Sequence, residues 1–180
     1  MSLNIKAWLA KDNLRRVAGL LWFDLVWFST VAGRNDWLWI AVPVVAVQIF
    51  LSSTRRGFNW LLYVKLLVLG LLLEATVVGL GILDFTGGWL PFWLIALWCG
   101  FAAMVTTTLD WLSGRYFLAA VIGVASGPLT YAIGSRLGAA ELLVEEWGMW
   151  LAYGVLWGAY MAVFAWLMKA SEVNDAKTSE

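Results

Sequence analysis

Five side chains in the sequence could do chemistry, and each lies within or beside a long apolar stretch. The acids are Asp24 in LLWFDLVWF, Glu74 in LVLGLLLEATVVGLGIL and Asp110 after MVTTTL. Tyr131 and Arg136 follow in the segment GPLTYAIGSRLGA. An ionised side chain at the centre of a membrane helix costs about 2.5–3.5 kcal/mol, so intramembrane acids usually face a cavity or a path for protons or substrate. We therefore treat these five residues as a candidate polar site inside the membrane.

Glu74 has only uncharged neighbours along the chain, and two arrangements would offset its cost. The carboxyl group can be protonated and neutral, or it can pair with a basic side chain. By depth, Arg136 is a better partner than Lys65, which lies near the opposite membrane boundary. The hydrogen-bond donors available to this carboxyl group could be Thr76, Tyr131 or the threonines at 106–108.

Each of the other charged candidates also has a purely structural explanation. Asp110 lies close to a turn, where it can be hydrated, and Asp24 suits helix pairing as well as function. Arg136, between Gly134 and Gly138, fits either an ion pair or the recognition of an anion. Three acids could hold a hard cation through oxygen ligands, but nothing in their spacing requires a metal ion.

The overall composition indicates that these residues lie in lipid. Of the 180 residues, 62% are hydrophobic and 13% are charged, and the mean hydropathy is +0.80. Soluble domains contain about 45–50% apolar and about 25% charged residues. A soluble globule of this size could not bury so much apolar surface, so the sequence predicts a membrane protein.

Several function classes are excluded by the same counts. The sequence contains no histidine, so it lacks the usual metal ligand, the usual proton shuttle and the ligand of a His-bound haem. Its single cysteine, Cys99, excludes an intrachain disulfide, and its formal net charge of zero gives no basic field for nucleic acid. There is no nucleophile elbow or phosphate loop. We expect no cofactor, no metal and no nucleic-acid partner, and we favour a protein without catalytic activity over an enzyme.

The pattern of apolar segments predicts an all-α fold, a polytopic membrane protein with a compact bundle of six transmembrane helices. A span needs roughly 17–25 apolar residues. Six segments joined by short connections meet this need, at 14–33, 36–53, 60–83, 91–112, 115–135 and 147–168. These form a transmembrane domain over 14–168. We expect residues 1–13 to be a cytoplasmic interfacial segment and 169–180 to be a disordered cytoplasmic tail.

The distribution of basic residues predicts the orientation in the membrane. With the N-terminus inside, ten lysines and arginines fall on the cytoplasmic side, and only Arg34 and Arg136 fall on the other side. This bias, with tryptophans near both predicted boundaries, predicts a multi-pass membrane protein with both termini cytoplasmic. Three deeper tryptophans, Trp27, Trp98 and Trp157, are expected to fill space.

Small residues and prolines suggest how the helices pack. The stripes GVASG (123–127) and GVLWG (154–158) predict close helix contacts, and Gly70, Glu74 and Gly81 share one helical face that we expect to point at another helix. Pro128 should kink or break its helix. Pro43 and Pro128 each lie in the second span of a three-helix half, which would suit an inverted repeat. The two halves, however, show no convincing sequence similarity.

A pattern in the second half of the chain resembles a known family. In LPFWLIALWCGFAAMVTTTLDWL it consists of Pro91, Trp93, Leu97, Trp98, Phe101, Ala102, Leu109, Trp111 and Leu112. In the later segment it consists of Gly127, Pro128, Leu129, Tyr131, Gly134, Arg136, Leu137, Gly138 and Ala139. These residues resemble a bacterial family of small integral-membrane proteins known only as a domain of unknown function, and the resemblance covers about residues 14–168.

The resemblance implies no established activity. Members of the family often occur beside genes for fatty-acyl modification, including cyclopropane-type methyltransferases, which implies a lipid context. The family pattern has an aspartate where Glu74 stands. It also has a more amide- and serine-containing version of TTTLDWL, so Asp110 is a departure for which the resemblance implies no shared role.

Three functions remain open from the sequence. The first is a protein that binds or moves a lipid-like or small solute through a polar intramembrane pocket. The second is a membrane enzyme, with Glu74 or Asp24 as general acid or base, or an accessory subunit in lipid or fatty-acyl modification. The third is an assembly partner, in a homo-oligomer or with another membrane protein, whose polar residues specify helix pairing.

Overall fold

A computed structural model describes residues 11–55 and 57–178 of the chain. Most of the predicted interfacial segment 1–13 therefore lies outside the described residues. Within them the chain forms six α-helices in sequence order. They are α1 (Lys11–Val31), α2 (Leu38–Ser53), α3 (Trp60–Gly79), α4 (Phe92–Thr108), α5 (Tyr116–Arg136) and α6 (Glu146–Thr178).

Consecutive helices run in opposite directions, so the bundle has two distinct ends. At one end, which we call the arginine end, α1 begins and α2 and α4 finish. A bond from Arg55 Nη2 to the carbonyl oxygen of Arg15, at 3.2 Å, joins two of these elements. At the other end, which we call the hairpin end, Arg34 Nη1 donates to the carbonyl oxygen of Leu137 at 2.8 Å and joins the α1–α2 connection to the end of α5.

Two short strands close the hairpin end. Strand β1 (Leu83–Phe85) follows α3 and strand β2 (Ala140–Leu142) follows α5, and they pair antiparallel with Asp84 opposite Glu141. Gly81 and Gly138 precede these strands with φ of +65° and +75°, the left-handed conformation that ends a helix at low cost. The all-α prediction therefore missed a small two-stranded sheet, because three-residue strands leave no periodic pattern.

The element order helix–strand–helix occurs twice along the chain. The first unit is α3–β1–α4 and the second is α5–β2–α6. At one constant offset, Gly70, Glu74, Leu80, Gly81 and Asp84 of the first unit correspond to Gly127, Tyr131, Leu137, Gly138 and Glu141 of the second. Because equivalent residues of the two strands face each other across the sheet, a local twofold axis passes between Asp84 and Glu141.

The aromatic core of the bundle follows the same approximate symmetry. Trp98 on α4 packs on Gly70, Trp157 on α6 packs on Gly127, and the two indoles stack with ring centroids 5.5 Å apart. The two contacts between a tryptophan of one unit and the second aromatic residue of the other unit have similar ring-centroid distances. Trp98 to Tyr160 is 5.3 Å, and Phe101 to Trp157 is 5.2 Å. Helices α1 and α2 lie outside this repeat and pack mainly on α4 and on each other.

The predicted close contacts of the small-residue stripes are confirmed, and they form between α5 and α6. A Cβ atom added at Gly158 would lie 2.9 Å from Val124, and Gly127 lies against the ring of Trp157. One other expectation needs correction. Gly81 lies beyond the end of α3 and is exposed, so it does not share the buried face of Glu74. Helix α5 continues through Pro128 without a break.

Four of the six helices are long and apolar enough to cross a membrane, counted over the described part of the chain. They lie at Arg34–Ser53, Trp60–Gly79, Tyr116–Arg136 and Glu146–Asn174. Helix α1 has 21 residues but carries Arg15, Arg16 and Asp24, and α4 has 17 residues, which is short for about 30 Å of hydrocarbon. At the C-terminus, α6 continues to Thr178, so helix covers most of the segment 169–180 that we predicted to be disordered.

The packing of Trp98 on Gly70, where α4 meets α3, gives a test. We expect Gly70→Ala to destabilise the bundle by about 1–3 kcal/mol, because the new methyl group would overlap the Trp98 ring. Gly79→Ala is the matched control in the same helix, since a Cβ there has nothing within 4 Å. Denaturant unfolding of the purified protein, followed by tryptophan fluorescence, compares the two. Equal stability of both variants would show that the glycine does not set this helix contact.

Candidate functional site

Glu74 is the most deeply buried charged residue among those described, with a relative exposure of 0%. It lies on the inner face of α3, one turn after Gly70, where the backbone approaches α4. A carboxyl group removed from water needs hydrogen-bond partners for both oxygens, because an unpartnered buried polar group costs several kcal/mol. The structure supplies these partners from three other helices.

Three neutral donors hold the carboxylate oxygens of Glu74. Trp98 on α4 donates its Nε1–H to Oε1 at 3.0 Å, and the Tyr131 hydroxyl on α5 donates to the same oxygen. The Tyr153 hydroxyl on α6 donates to Oε2 at 3.1 Å. Glu74 and Tyr131 occupy equivalent positions of the two repeat units, so their contact crosses the local twofold axis. The group joins α3, α4, α5 and α6 at one point without a basic side chain.

Aromatic rings close this group off from any large cavity. Tyr131 and Tyr153 stack with centroids 3.7 Å apart, and Trp98 stacks on Trp157. A cavity beside Tyr131 has a volume of about 30 Å³, which is room for about one or two water molecules. In this conformation the Glu74 group therefore has no room for an organic substrate.

Arg136, which we considered the better basic partner for Glu74, does not pair with it. Arg136 lies at the hairpin end, with its side chain 75% exposed, and its Nη2 is 3.5 Å from Oε1 of Glu146, which is 57% exposed. Depth along the helix placed Arg136 near Glu74, but the helical rotation of α5 directs Tyr131 inward and Arg136 outward. Thr76 is also not a partner, since its hydroxyl donates to the Leu72 carbonyl.

The other two acids lie apart from Glu74 and from each other. Asp110 lies at the arginine end and accepts two bonds from Arg16, from Nε at 2.9 Å and from Nη2 at 3.1 Å. Asp24 is exposed on the outer side of α1. The acids cannot share one cation, and the described residues contain no group of three potential metal ligands. The five sequence candidates thus divide into one contact pair, Glu74 with Tyr131, and three separate residues.

A second polar region, at the arginine end, was not predicted. A cavity of about 1110 Å³ lies between the ends of α1, α2 and α4, with contributions from α3 and α6. Its polar lining consists of Arg15, Arg16, Gln48, Ser52, Thr54, Arg55, Thr106, Thr107, Thr108, Asp110, Ser171 and Glu172. Its apolar lining includes Trp22, Leu51, Leu62 and Met168. Cavities of several hundred cubic ångströms accommodate small organic ligands.

Gln48 is the innermost polar group of this cavity that lacks a full set of partners. The residue is 3% exposed, and its Nε2 donates to Ser52 Oγ at 3.2 Å. Ser52 in turn shares a hydrogen bond of 3.2 Å with Thr107, which connects α2 to α4. The other amide atom, Oε1, is buried and has no partner among the described residues. Gln48 therefore lines the cavity, while its unpartnered oxygen is itself closed to a water-sized probe.

Signals for the missed residues were present in the sequence. Gln48 is the only glutamine of the chain and interrupts the apolar run VPVVAVQIFL, just as Glu74 interrupts its own span. Tyr153, Trp157 and Tyr160 have helical spacing and therefore share one face of α6. Trp98 was expected only to fill space. Its bond to Glu74 had no signal in the sequence, since it depends on how α4 packs against α3.

Comparisons with known proteins identify a family but no activity. The model of a family described as protein of unknown function (DUF2878) matches residues 16–163. No curated protein and no solved structure matches the chain. The matched range includes both the Glu74 group and most of the residues that line the large cavity.

The Glu74 group gives a test with a matched control. We expect Tyr153→Phe to lower the free energy of unfolding by about 1–3 kcal/mol, because it leaves one buried carboxyl oxygen without a donor. Tyr116→Phe makes the same chemical change on an exposed residue of α5 and should have no effect. Denaturant unfolding in detergent measures both. A Tyr153→Phe protein as stable as the Tyr116→Phe protein would contradict the proposed bond.

Proposed function

The chain belongs to the family of unknown function whose model matches residues 16–163, and from its geometry we propose that the protein binds or moves a lipid-like or small solute in the polar cavity at the arginine end. The observation that supports this most is a cavity of about 1110 Å³ whose lining combines arginine and hydroxyl side chains with the buried amide residue Gln48. Glu74, by contrast, is enclosed and joins the helices that hold the fold together.

The lining of the cavity suits an amphiphile. Hydroxyl groups of Ser52 and Thr107 extend the polar surface inward from the arginines, while Trp22, Leu51 and Leu62 provide apolar contacts. A ligand with a polar head and an apolar chain would satisfy both kinds of lining. The lipid context implied by the family resemblance points in the same direction.

The proposal includes a membrane placement. All six helices cross the bilayer of a bacterial inner membrane, both termini are cytoplasmic, and the cavity opens toward the cytoplasm. Two features support six spans rather than four. Helix α4 is buried along its C-terminal half, so although it is short it exposes little backbone to lipid. Helix α1 packs beside α2 and α4. The basic residues of the arginine end favour the cytoplasmic side.

The two alternatives from the sequence receive different support. An enzyme centred on Glu74 has proton-donating tyrosines within reach, but its adjoining cavity of about 30 Å³ leaves no room for a lipid substrate. An assembly partner is favoured by Asp24, whose exposed carboxyl group on α1 is surrounded by exposed Leu20, Leu21 and Leu25. A partner helix with a basic side chain at the same depth would offset the cost of this acid.

Neighbouring serines provide the test of ligand binding. Ser52 lines the cavity, whereas the adjacent Ser53 turns its hydroxyl back to the Phe50 carbonyl and lies outside it. We expect the full-length protein, extracted with its native lipids, to retain a small molecule or lipid visible by native mass spectrometry. Ser52→Ala and Gln48→Leu should reduce the retained fraction several-fold, since each removes a polar contact to the ligand. Ser53→Ala should retain it as the wild type does.

Two outcomes would contradict this proposal. A wild-type protein that carries no bound molecule, or a retained fraction that is unchanged in Gln48→Leu, would remove the case for a ligand site. If, in addition, Asp24→Leu releases a protein that copurifies with the wild type, the assembly function replaces the binding function.

The membrane placement is tested with two glutamates, one just before α6 and one in its C-terminal part. In a Cys99→Ala background, Glu145→Cys at the hairpin end should react with a membrane-impermeant maleimide on intact cells. Glu172→Cys at the arginine end should react only after the cells are permeabilised, because both positions are exposed but lie on opposite sides of the bilayer. Reaction of both on intact cells would contradict this orientation.

A further inference from the structure

The outer faces of α1 and α3 carry complementary charges. We infer that copies of this chain associate in the membrane, with Asp24 on α1 of one copy paired with Lys65 on α3 of the next. The inference uses the proposed membrane placement but goes beyond the ligand cavity, because neither residue lines that cavity. The contact joins two different faces, so it is heterologous and repeats from copy to copy until a ring closes.

Asp24 lies on the side of α1 that faces away from the rest of the chain. It is exposed, and it forms no ion pair with any residue that the structure describes. A carboxylate in hydrocarbon is costly, and the aspartate side chain is too short to reach the membrane boundary. The large side chains around it on this face are also exposed, and they are Val17, Leu21, Leu25 and Phe28.

Lys65 has the same setting on the outer side of α3. It is exposed, and within the described ranges it has no acidic partner. The large side chains around it are exposed and apolar, and they are Leu61, Val64, Val68 and Leu72. Each of the two helices therefore presents a single charge within an apolar surface, and the two charges are opposite in sign.

The two faces also have the same spacing along their helices. Residues at this spacing form a stripe on one side of a helix, which is the pattern by which two helices pack side by side. Both helices begin at the arginine end, so α1 of one copy and α3 of another in the same membrane orientation run parallel. Successive residues are four, three and four positions apart in Val17, Leu21, Asp24 and Phe28 and in Leu61, Lys65, Val68 and Leu72.

The two charges lie at about the same depth, level with the Phe101 ring of α4. Phe23, which precedes the acid, has its ring centroid 5.6 Å from that of Phe101. Leu66, which follows the lysine, accepts at its carbonyl oxygen a bond of 3.1 Å from the Tyr160 hydroxyl. The ring centroid of Tyr160 is in turn 6.0 Å from that of Phe101. Because all copies insert in one orientation, equal depth lets the acid of one copy meet the lysine of the next.

The other charges of the chain do not compete for this contact. In the part of the chain that the structure describes, they lie at the arginine end or the hairpin end, and Glu74 is enclosed. Lys65 is therefore the base that a second copy presents to Asp24. Pairing the two removes both charges from contact with lipid and offsets their cost.

Charge reversal in two differently tagged copies tests this contact. The full-length copies are expressed together in bacteria, and the fraction of one tag that copurifies with the other is measured in a mild detergent. We expect wild-type copies to copurify. Two Asp24→Lys copies, or two Lys65→Asp copies, should copurify several-fold less, because each pair brings like charges together. Glu145→Lys, the same reversal at an exposed position of the hairpin end, should behave as the wild type does.

The two variants are then expressed with each other. A copy with Asp24→Lys and a copy with Lys65→Asp present opposite charges at both faces, so this mixed pair should copurify to near the wild-type fraction. A variant that had failed to fold could not be rescued in this way. If charge reversal prevents expression, Asp24→Asn and Lys65→Gln each remove one charge and should still lower copurification several-fold.

Four results would overturn the inference. They are wild-type copies that do not copurify, Lys65→Asp copies that associate as the wild type does, a mixed pair of folded variants that stays apart, and neutral variants that copurify fully. A different protein that copurifies through Asp24 while the wild-type copies stay apart would assign the acid to that partner instead. Retention of a molecule in the cavity is measured separately, so the ligand function and this association can fail independently.

Discussion

A carboxyl group that is fully removed from water sets the arrangement of the central helices. Glu74 on α3 requires donors, and it obtains them from Trp98 on α4, Tyr131 on α5 and Tyr153 on α6. Lipid provides little hydrophobic drive for helices to associate, so polar bonds and close packing carry a larger share of the association than in water. Displacing α6 would leave Oε2 without a donor, and displacing α4 or α5 would remove one of the two donors to Oε1. One short-range requirement therefore fixes four helices relative to each other.

The local twofold repeat explains why this requirement can be met. In each unit a glycine, Gly70 or Gly127, allows a tryptophan of the following helix to approach its backbone, and the two tryptophans stack across the axis. The strands that follow α3 and α5 pair across the same axis. The symmetry is broken where Glu74 faces Tyr131, so an acceptor and a donor occupy equivalent positions. Two glutamates there would repel each other, and two tyrosines would leave no acceptor for the surrounding donors.

The helices outside the repeat create the space that the repeat itself lacks. Helices α1 and α2 pack on α4 and diverge toward the arginine end, where polar residues replace the aromatic core. The molecule therefore contains two polar regions of different character. The Glu74 group is closed and satisfied, whereas the Gln48 region borders a large cavity and keeps one unsatisfied atom. Completed polar groups stabilise a fold, whereas a buried polar atom without a partner weakens it.

The sequence by itself determined the helical class, the order of the six helices and the importance of Glu74, because these follow from hydropathy and from the cost of a buried charge. It located the small-residue stripes of α5 and α6, because their spacing is a local feature of each helix. The tertiary structure decided which side chains contact each other. Arg136 has a suitable depth for Glu74 but the wrong rotation about α5, and Trp98 had no polar role until α4 was placed against α3. The cavity of Gln48, Arg15 and Arg55 likewise exists only between helices that are far apart in the chain. Periodicity determines which residues share one face of a helix. Which neighbouring helix contacts that face depends on the packing of the whole bundle.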